Sequence, residues 1–280
     1  MKLKKFTFPY IIWLTIFIVI PLFLVLLYAF TIGDSKDIST FQFSLNNLER
    51  FFSSPVYIQV LLRSVRLAFI STVICLLIGY PIAYIISREN PKKRNTMILM
   101  FVIPMWMNFL LRTYAWLTLL GRNGIINIII TKLGFQQINF LYNDNAVLLG
   151  MVYNFLPFMV LPIFSILTKM NINLIEAAED LGADKTTTFK KVIFPLSLPG
   201  VMTGVSMVFI PAVSTFIISS LLGGNKSSLI GNLIEQQFMY TGDWHFGSTM
   251  SIILMVFILI SMAVTSRFDK QKEGEGGGLW

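Results

Sequence analysis

The residues that could carry reactive chemistry are few in this chain and do not cluster. Its 280 residues include one cysteine, Cys75, and one histidine, His245. A single cysteine excludes an intramolecular disulfide framework, and a single histidine argues against a histidine-based metal site. Cys75 stands in an apolar run and is expected to pack as an apolar side chain. We therefore predict no catalytic residue, no metal site and no cofactor on this chain.

One glycine-rich segment invites comparison with a phosphate-binding loop. The residues GGNKSS at 223–228 combine glycines with a lysine. They lack the G-x-x-x-x-G-K-[ST] spacing that lets backbone N–H groups surround a phosphate. The chain is therefore not expected to hydrolyse ATP, and we predict that it is not an enzyme.

The remaining concentration of charge is the stretch EAAEDLG at 176–182, which lies between two long apolar runs. Asn171 or Asn173 is suited to cap a helix start, and acidic residues in the first turns favour that helix. Gly182 permits a bend or a close backbone contact after it. The segment is predicted to begin as a short helix followed by a turn.

A second helical piece is expected to follow this turn. It extends from Lys185 to Val192, and Pro195 and Pro199 are expected to end it before Gly200 opens the next apolar run. Residues 169–199 are thus predicted to form a helix-turn-helix across the membrane surface. Such a segment is able to pass motion from a soluble partner to membrane helices, or simply to stabilise a loop.

The elements that carry this segment are predicted to cross a membrane. The sequence is 55% hydrophobic and 13% charged, with a mean hydropathy of +0.72. Apolar runs of about 18 residues or more suit helices that span a bilayer, whereas alternating ten-residue units would indicate a β-barrel. We predict an all-α polytopic membrane protein with six spans, at about 9–32, 60–87, 97–120, 146–168, 200–222 and 247–266.

These spans divide into three regions. Residues 1–32 form an N-terminal transmembrane helix, which is too long for a signal peptide and lacks a small-residue cleavage site. Residues 60–268 form the main membrane domain, and residues 269–280 form a glycine-rich tail that is predicted to be disordered. By these assignments no Asp or Glu lies within a span.

Basic residues in the loops predict the orientation of the chain. With the N-terminus in the cytoplasm, 14 of the 22 Lys and Arg residues lie on the cytoplasmic side and 5 on the outer side. The cytoplasmic group is Lys2, Lys4, Lys5, Arg88, Lys92, Lys93, Arg94, Lys169, Lys185, Lys190, Lys191, Arg267, Lys270 and Lys272. The outer group is Lys36, Arg50, Arg122, Lys132 and Lys226. Both termini are predicted to be cytoplasmic, and the net charge of +8 requires no nucleic acid partner.

The charged segment also carries a resemblance to a known family. EAAEDLGA followed by FPLSLPG resembles the EAA motif of importer-type ABC transporter permeases, in which a short helix docks on an ATPase subunit. The matching residues are Glu176, Ala177, Ala178, Gly182 and Pro195. Phe194 departs mildly from this pattern, since Leu is commoner before the proline.

Further stretches resemble permeases of bacterial spermidine/putrescine importers. They are IPMWMNFLLRTYAW at 103–116, NFLPFMVLPIF at 154–164, LGGNKSSLIGNLI at 222–234 and DWHFG at 243–247. The resemblance covers about residues 60–265 and implies a MetI-like permease core with an additional N-terminal helix, in a bacterial cell membrane. It also implies three partners: a second homologous permease (PotC type), paired ATPase subunits (PotA type) that bind ATP and Mg²⁺, and an extracytoplasmic binding protein (PotD type).

A polyamine carries several ammonium groups, which aromatic faces, carbonyl oxygens and carboxylates attract. The spans supply such groups, and the candidate pathway residues are Trp106, Asn108, Tyr114, Tyr153 and Phe155. Relatives often carry an acid just before the Leu-Leu-Gly-Gly stretch, where this chain has Ser219 and Ser220. We therefore expect the second permease to supply carboxylates, and outer acids such as Asp144, Glu235 and Asp243 to guide the substrate or dock the binding protein.

Three alternatives remain open at the level of sequence. The first is an ABC permease for another small solute. The second is an ion-coupled secondary transporter, which would carry inverted repeats and ionisable residues near the midplane of the membrane. The third is a membrane scaffold without transport activity.

Overall fold

The computed structural model describes residues 3–35, 37–224 and 227–273, and these residues are predominantly helical. The first apolar run is helical from Leu3 to Leu14 (α1) and from Ile20 to Ala29 (α2), joined by a π-helical turn, Thr15–Val19. Two short antiparallel strands follow, Thr31–Ile32 (β1) and Gln42–Phe43 (β2), with Thr31 opposite Phe43.

The membrane helices then follow in chain order, separated by shorter ones. The helices are α3 (Asn46–Ser53), α4 (Pro55–Arg88), α5 (Pro91–Trp106), α6 (Phe109–Leu120), α7 (Ile125–Lys132), α8 (Asp144–Lys169), α9 (Asn173–Asp180), α10 (Lys185–Thr188), α11 (Phe194–Ser214), α12 (Ile230–Gln236) and α13 (Trp244–Glu273). Five stretches of the described chain are long and apolar enough to span a bilayer, and a bent helix pair makes a sixth. The predicted all-α fold with six spans is confirmed. Residues 274–280, the end of the predicted tail, lie outside the described residues.

The third span differs from the straight helix predicted at 97–120. It is the pair of segments Pro91–Trp106 and Phe109–Lys132, whose axes meet at 91°. The helix stops because Met107 adopts an extended backbone conformation. A new helix then starts because the Asn108 side chain accepts a hydrogen bond of 2.8 Å from the Leu110 N–H.

The fifth span also differs from its predicted limits of 200–222. Its helical stretch begins at Lys185 and ends at Ser214, where Thr215 turns to an extended conformation. Pro195 and Pro199 therefore lie within the helix, and the prediction that they end a helical piece is wrong. The π-helical turn Phe189–Ile193 ends two residues before Pro195, so the missing N–H of this proline falls in the first turn of α11, where the α-helical bonding is already interrupted.

The described residues form two compact units, one from the ranges 3–62 and 230–259 and the other from 63–229 and 260–273. The core of the first unit is aromatic. The ring of His245 lies 5.1 Å from that of Tyr28 and 4.9 Å from that of Phe41. Thr249 donates a hydrogen bond of 3.0 Å to the Ala29 carbonyl oxygen, which fixes the end of the first span.

The core of the second unit depends on close packing of α8 against α11. A Cβ added at Gly204 would lie 2.8 Å from the Met159 sulfur, and one at Gly200 would lie 3.0 Å from the Pro162 carbonyl oxygen. Small residues allow membrane helices to approach in this way, where the hydrophobic effect does not drive association. These two helices carry the charged segment between them.

Candidate functional site

Helix α9 forms the first half of the charged segment. The Asn171 side chain accepts a hydrogen bond of 3.0 Å from the Asn173 N–H beside the helix start, but the N-cap position is Ile172, which makes no side-chain capping bond. At the other end the Gly182 N–H donates to the Glu179 carbonyl and the Ala183 N–H to the Ala178 carbonyl. This pair of bonds is a Schellman motif, which requires the left-handed backbone that Gly182 adopts at a φ of +84°.

The residues that match the EAA motif lie mostly on the outside of this helix. Glu176 and Ala177 are exposed and Ala178 is half-buried, whereas Ile175 is buried and anchors the helix. Leu181 is 89% exposed, an unusual position for a large apolar side chain. The segment thus presents a mixed acidic and apolar surface.

The second half of the segment starts at Asp184. Its carboxylate accepts a hydrogen bond of 3.2 Å from the Thr187 N–H and caps α10. Hydrogen bonds from the side chain and backbone of Thr187 lower the pKa of Asp184 below its usual value. Pro195, the last of the motif residues, is half-buried at the start of α11.

An aromatic cluster fastens this second half to α4. The Tyr80 ring lies 5.8 Å from that of Phe189 and 5.7 Å from that of Phe194. The Tyr80 hydroxyl is 2.8 Å from the hydroxyl of Ser197. The Ser197 hydroxyl itself donates a hydrogen bond to the Phe194 carbonyl oxygen. Tyr80 therefore donates to Ser197. Sequence reasoning missed this connection, because Tyr80 and Ser197 are 117 positions apart.

A cavity of about 440 Å³ lies in the same unit. Helices α4, α5, α6 and α8 line it with the residues Ile82, Ile85, Ile86, Met97, Met100, Phe101, Pro104, Arg112, Tyr153, Leu156 and Pro157. Arg112 is the charged residue of this set, and sequence reasoning missed it too. Its presence in an apolar span was the available signal, since ionisable residues at membrane depth mark functional positions.

The predicted pathway residues occupy different surroundings. Tyr153 lines the cavity, and its ring lies 5.3 Å from that of Trp116. Trp106 is 77% exposed at the end of α5, and Tyr114 is 49% exposed on α6. Asn108 caps α6, and Phe155 is buried at 6% exposure. The structure brings Tyr153 to the cavity, while the other four residues lie outside its lining.

Two of the predicted outer acids are held in ion pairs. Asp144, the first residue of α8, lies 3.4 Å from Arg63 and 3.1 Å from Arg66. Asp243 lies 2.8 Å from Arg50, and this contact raises the pKa of the arginine. The third acid, Glu235, lies on α12. Since Asp144 belongs to α8, the prediction that no acid lies within a span needs correction at this helix end.

Six spans, with an exposed short helix between the fourth and fifth, define a multi-pass membrane protein. Residues 76–273 match the family described as binding-protein-dependent transport system inner membrane component. The chain is 39% identical over 272 residues to the spermidine/putrescine transport system permease protein PotB of Haemophilus influenzae, covering 96% of this chain and 95% of that protein. The corresponding protein of Escherichia coli is 37% identical, over 92% and 94% of the two chains.

Solved structures show the same architecture. A chain of a bacterial ABC transporter involved in the import of the acidic polysaccharide alginate has a TM-score of 0.74, over 95% of both chains, at 16% identity. A chain of the MetNI methionine ABC transporter, in inward-facing conformations, has a TM-score of 0.58 over 76% of this chain and 94% of that one. The chain therefore belongs to the inner membrane components of binding-protein-dependent transport systems, the permeases of ABC importers, and it has the MetI-like fold.

Proposed function

We propose that this chain is the permease subunit of an ATP-driven importer of spermidine and putrescine. The observation that carries the proposal is the identity of 39% to a spermidine/putrescine permease, which extends over 96% of the chain. The exposed aromatic residues Trp106 and Tyr114 are suited to bind ammonium groups at roughly 0.5–2 kcal/mol each. The partners are a second permease, a pair of ATPase subunits and an extracytoplasmic binding protein.

In this proposal α9 is the contact with the ATPase. The excess of basic residues on one side of the spans supports a cytoplasmic position for α9 and for both termini. Glu176, Ala177 and Leu181 lie exposed on the segment, where they suit a groove of the ATPase. ATP and Mg²⁺ bind to that subunit, and this chain receives only its motion.

The packing of the segment supports a route for that motion. Gly182 and Asp184 join α9 to the helical stretch that runs from Lys185 to Ser214. The bond between Tyr80 and Ser197 connects the start of α11 to α4. A push on α9 would therefore move the fifth and second spans together and reorient them around the substrate.

Uptake of radiolabelled spermidine and putrescine in a deletion strain tests this function. The wild-type gene, expressed with its partner genes, should restore uptake, and Gly182→Arg should abolish it at normal membrane levels of the protein. Gly134→Arg is the matched control, because Gly134 has a φ of +86° against +84° for Gly182 and both have open space around a new Cβ. The left-handed backbone conformation then costs an arginine about 1–2 kcal/mol in both variants. A difference in uptake between them therefore reflects the surface on which the new side chain lies.

Two results would contradict the proposal. Uptake that survives Gly182→Arg would remove the coupling role of α9. A wild-type complex that restores uptake of another solute and neither polyamine would exclude the proposed substrate.

A further inference from the structure

Arg112 presents an unneutralised charge to the apolar cavity. The residue is only 9% exposed, and its Nε is buried without a hydrogen-bond partner. Its guanidinium carbon lies 5.9 Å from the centre of the Phe109 ring, which offers only a weak attraction. A buried arginine in an apolar site needs an anion for neutralisation.

That anion does not come from the described part of this chain. Within the described spans the only Asp or Glu is Asp144, and its carboxylate binds Arg63, Arg66 and Ser227. The other residues that line the cavity with Arg112 carry no negative charge. The neutralising group must therefore belong to another molecule.

The depth of the cavity selects the kind of molecule. Pro157, one of its lining residues, is 13 residues from Asp144 and 12 from Lys169, the two ends of α8. At about 1.5 Å per residue, Pro157 lies roughly 18–20 Å from either end of this helix, whereas Ile86, another lining residue, is two residues from the end of α4. Phospholipid head groups lie outside the hydrocarbon core of roughly 30 Å, so their phosphates do not reach the Pro157 side of the cavity. A side chain on a membrane helix of another protein does reach this part of the cavity.

The surface beside the cavity fits a covering helix. At the break between α5 and α6, Met107 and Leu111 are both more than half exposed. These apolar side chains, next to a cavity with a single cation, are complementary to an apolar helix that carries one acid. A polyamine would be repelled by Arg112 and does not fit this description.

We propose that the Arg112 cavity is a socket for an Asp or Glu side chain on a membrane helix of the second permease. This inference rests on the proposed function, in which two permeases form the transport pathway. The acid pairs with the guanidinium, and apolar side chains of the same helix fill the space beside Met100 and Phe101. Specific pairing of the two permeases, and the position of the bent third span, then depend on Arg112.

Zero-length cross-linking tests the proposal directly. Arg112→Lys introduces an amine that a membrane-permeant carbodiimide joins to a contacting carboxylate. The assembled transporter would be treated in lipid and its peptides analysed by mass spectrometry. We expect a linkage between position 112 and an acidic peptide of the second permease. The Arg112→Gln variant has no amine and should give no such peptide.

Uptake provides a second measurement. Arg112→Gln should lower uptake at least about tenfold, because it leaves the partner's carboxylate buried and unpaired, while Arg112→Lys retains most of it. Arg122→Gln is the control, since Arg122 lies exposed in the loop after α6. Charge reversal by Arg112→Glu should be rescued by an acid-to-arginine change in the second permease.

The outcomes separate this inference from the function on which it rests. Two results would overturn the socket and leave the proposed function intact. One is a linkage to a lipid carboxylate or to this chain. The other is the absence of any linkage in a complex that retains both permeases and transports polyamines. A purified transporter that contains no second permease overturns both.

Discussion

Ser227 donates a hydrogen bond of 2.8 Å to Asp144, across 83 positions of the chain. The same carboxylate holds Arg66 at 3.1 Å, and the neighbouring Tyr142 N–H donates to the Leu222 carbonyl oxygen at 2.7 Å. The loop after the π-helical turn Ser219–Gly223 is thereby fastened to the start of α8. The acid that was expected to guide a substrate is therefore also a structural anchor.

Loss of this anchor should destabilise the protein. Asp144→Ala removes a charge-assisted hydrogen bond and two partly exposed ion pairs, and we expect a loss of about 1.5–3 kcal/mol, most of it from the hydrogen bond. Ser227→Ala should cost about half as much. Thermal unfolding in detergent measures both, with the adjacent Ser228→Ala as control. Equal unfolding temperatures in all four proteins would contradict the role of Asp144.

The glycine in this loop should be sensitive to a single methyl group. Gly224 has a φ of +56°, and a Cβ there would lie 2.8 Å from the Tyr142 ring. We expect Gly224→Ala to destabilise the protein by roughly 2–4 kcal/mol, from strain and contact together. Gly242→Ala is the control, because Gly242 has a φ of +68° but open space around the new methyl. Equal unfolding temperatures for the two variants would contradict the prediction.

The bond between Tyr80 and Ser197 should couple the charged segment to α4. Tyr80→Phe removes a buried hydrogen bond, and a double-mutant cycle with Ser197→Ala should give a coupling energy of about 1 kcal/mol. We also expect Tyr80→Phe to lower transport per ATP hydrolysed in the reconstituted complex. Tyr84→Phe keeps the same aromatic cluster and serves as control. A coupling energy near zero would show that the segment moves independently of α4.

The aromatic pathway is tested at Trp106. Trp106→Leu should weaken the apparent affinity for spermidine by roughly 2- to 30-fold, the loss of one contact between an ammonium group and an aromatic face. Trp13→Leu makes the same substitution at another exposed tryptophan, on the first span, and should have no effect. Unchanged uptake by the Trp106 variant at limiting spermidine would exclude this residue from the pathway.

The stabilisation of α10 by the Asp184 carboxylate should decrease as the pH falls. Hydrogen bonds from Thr187 favour the carboxylate and hold the pKa of Asp184 below its ordinary 3.8. The stabilisation is therefore fully present above the ordinary value and is lost as the pH falls through the lowered one. At neutral pH, Asp184→Ala should speed amide hydrogen exchange at Thr187 and Thr188. Asp180→Ala removes an equal charge from α9 and should leave those amides unchanged.

The sequence predicted much of the charged segment because its structure is local. Asn171 and Gly182 act on the N–H and carbonyl groups beside them, so a hydrogen bond beside the helix start and a left-handed turn are readable from residue type. The end of the second helical piece was not readable in this way. Pro195 signals a break in an α-helix, but the π turn before it absorbs the missing donor and the helix continues to Ser214.

The sequence by itself determined the membrane class, the number of spans and the place of the charged segment, because hydropathy and backbone capping act over a few neighbouring residues. Only the tertiary structure decided the partners of Asp144, the bond between Tyr80 and Ser197, the bend of the third span and the position of Arg112 beside a cavity. The contacts of Asp144 and of Tyr80 join residues about 80 to 120 positions apart, and helix packing selects them from many apolar faces that look alike in sequence.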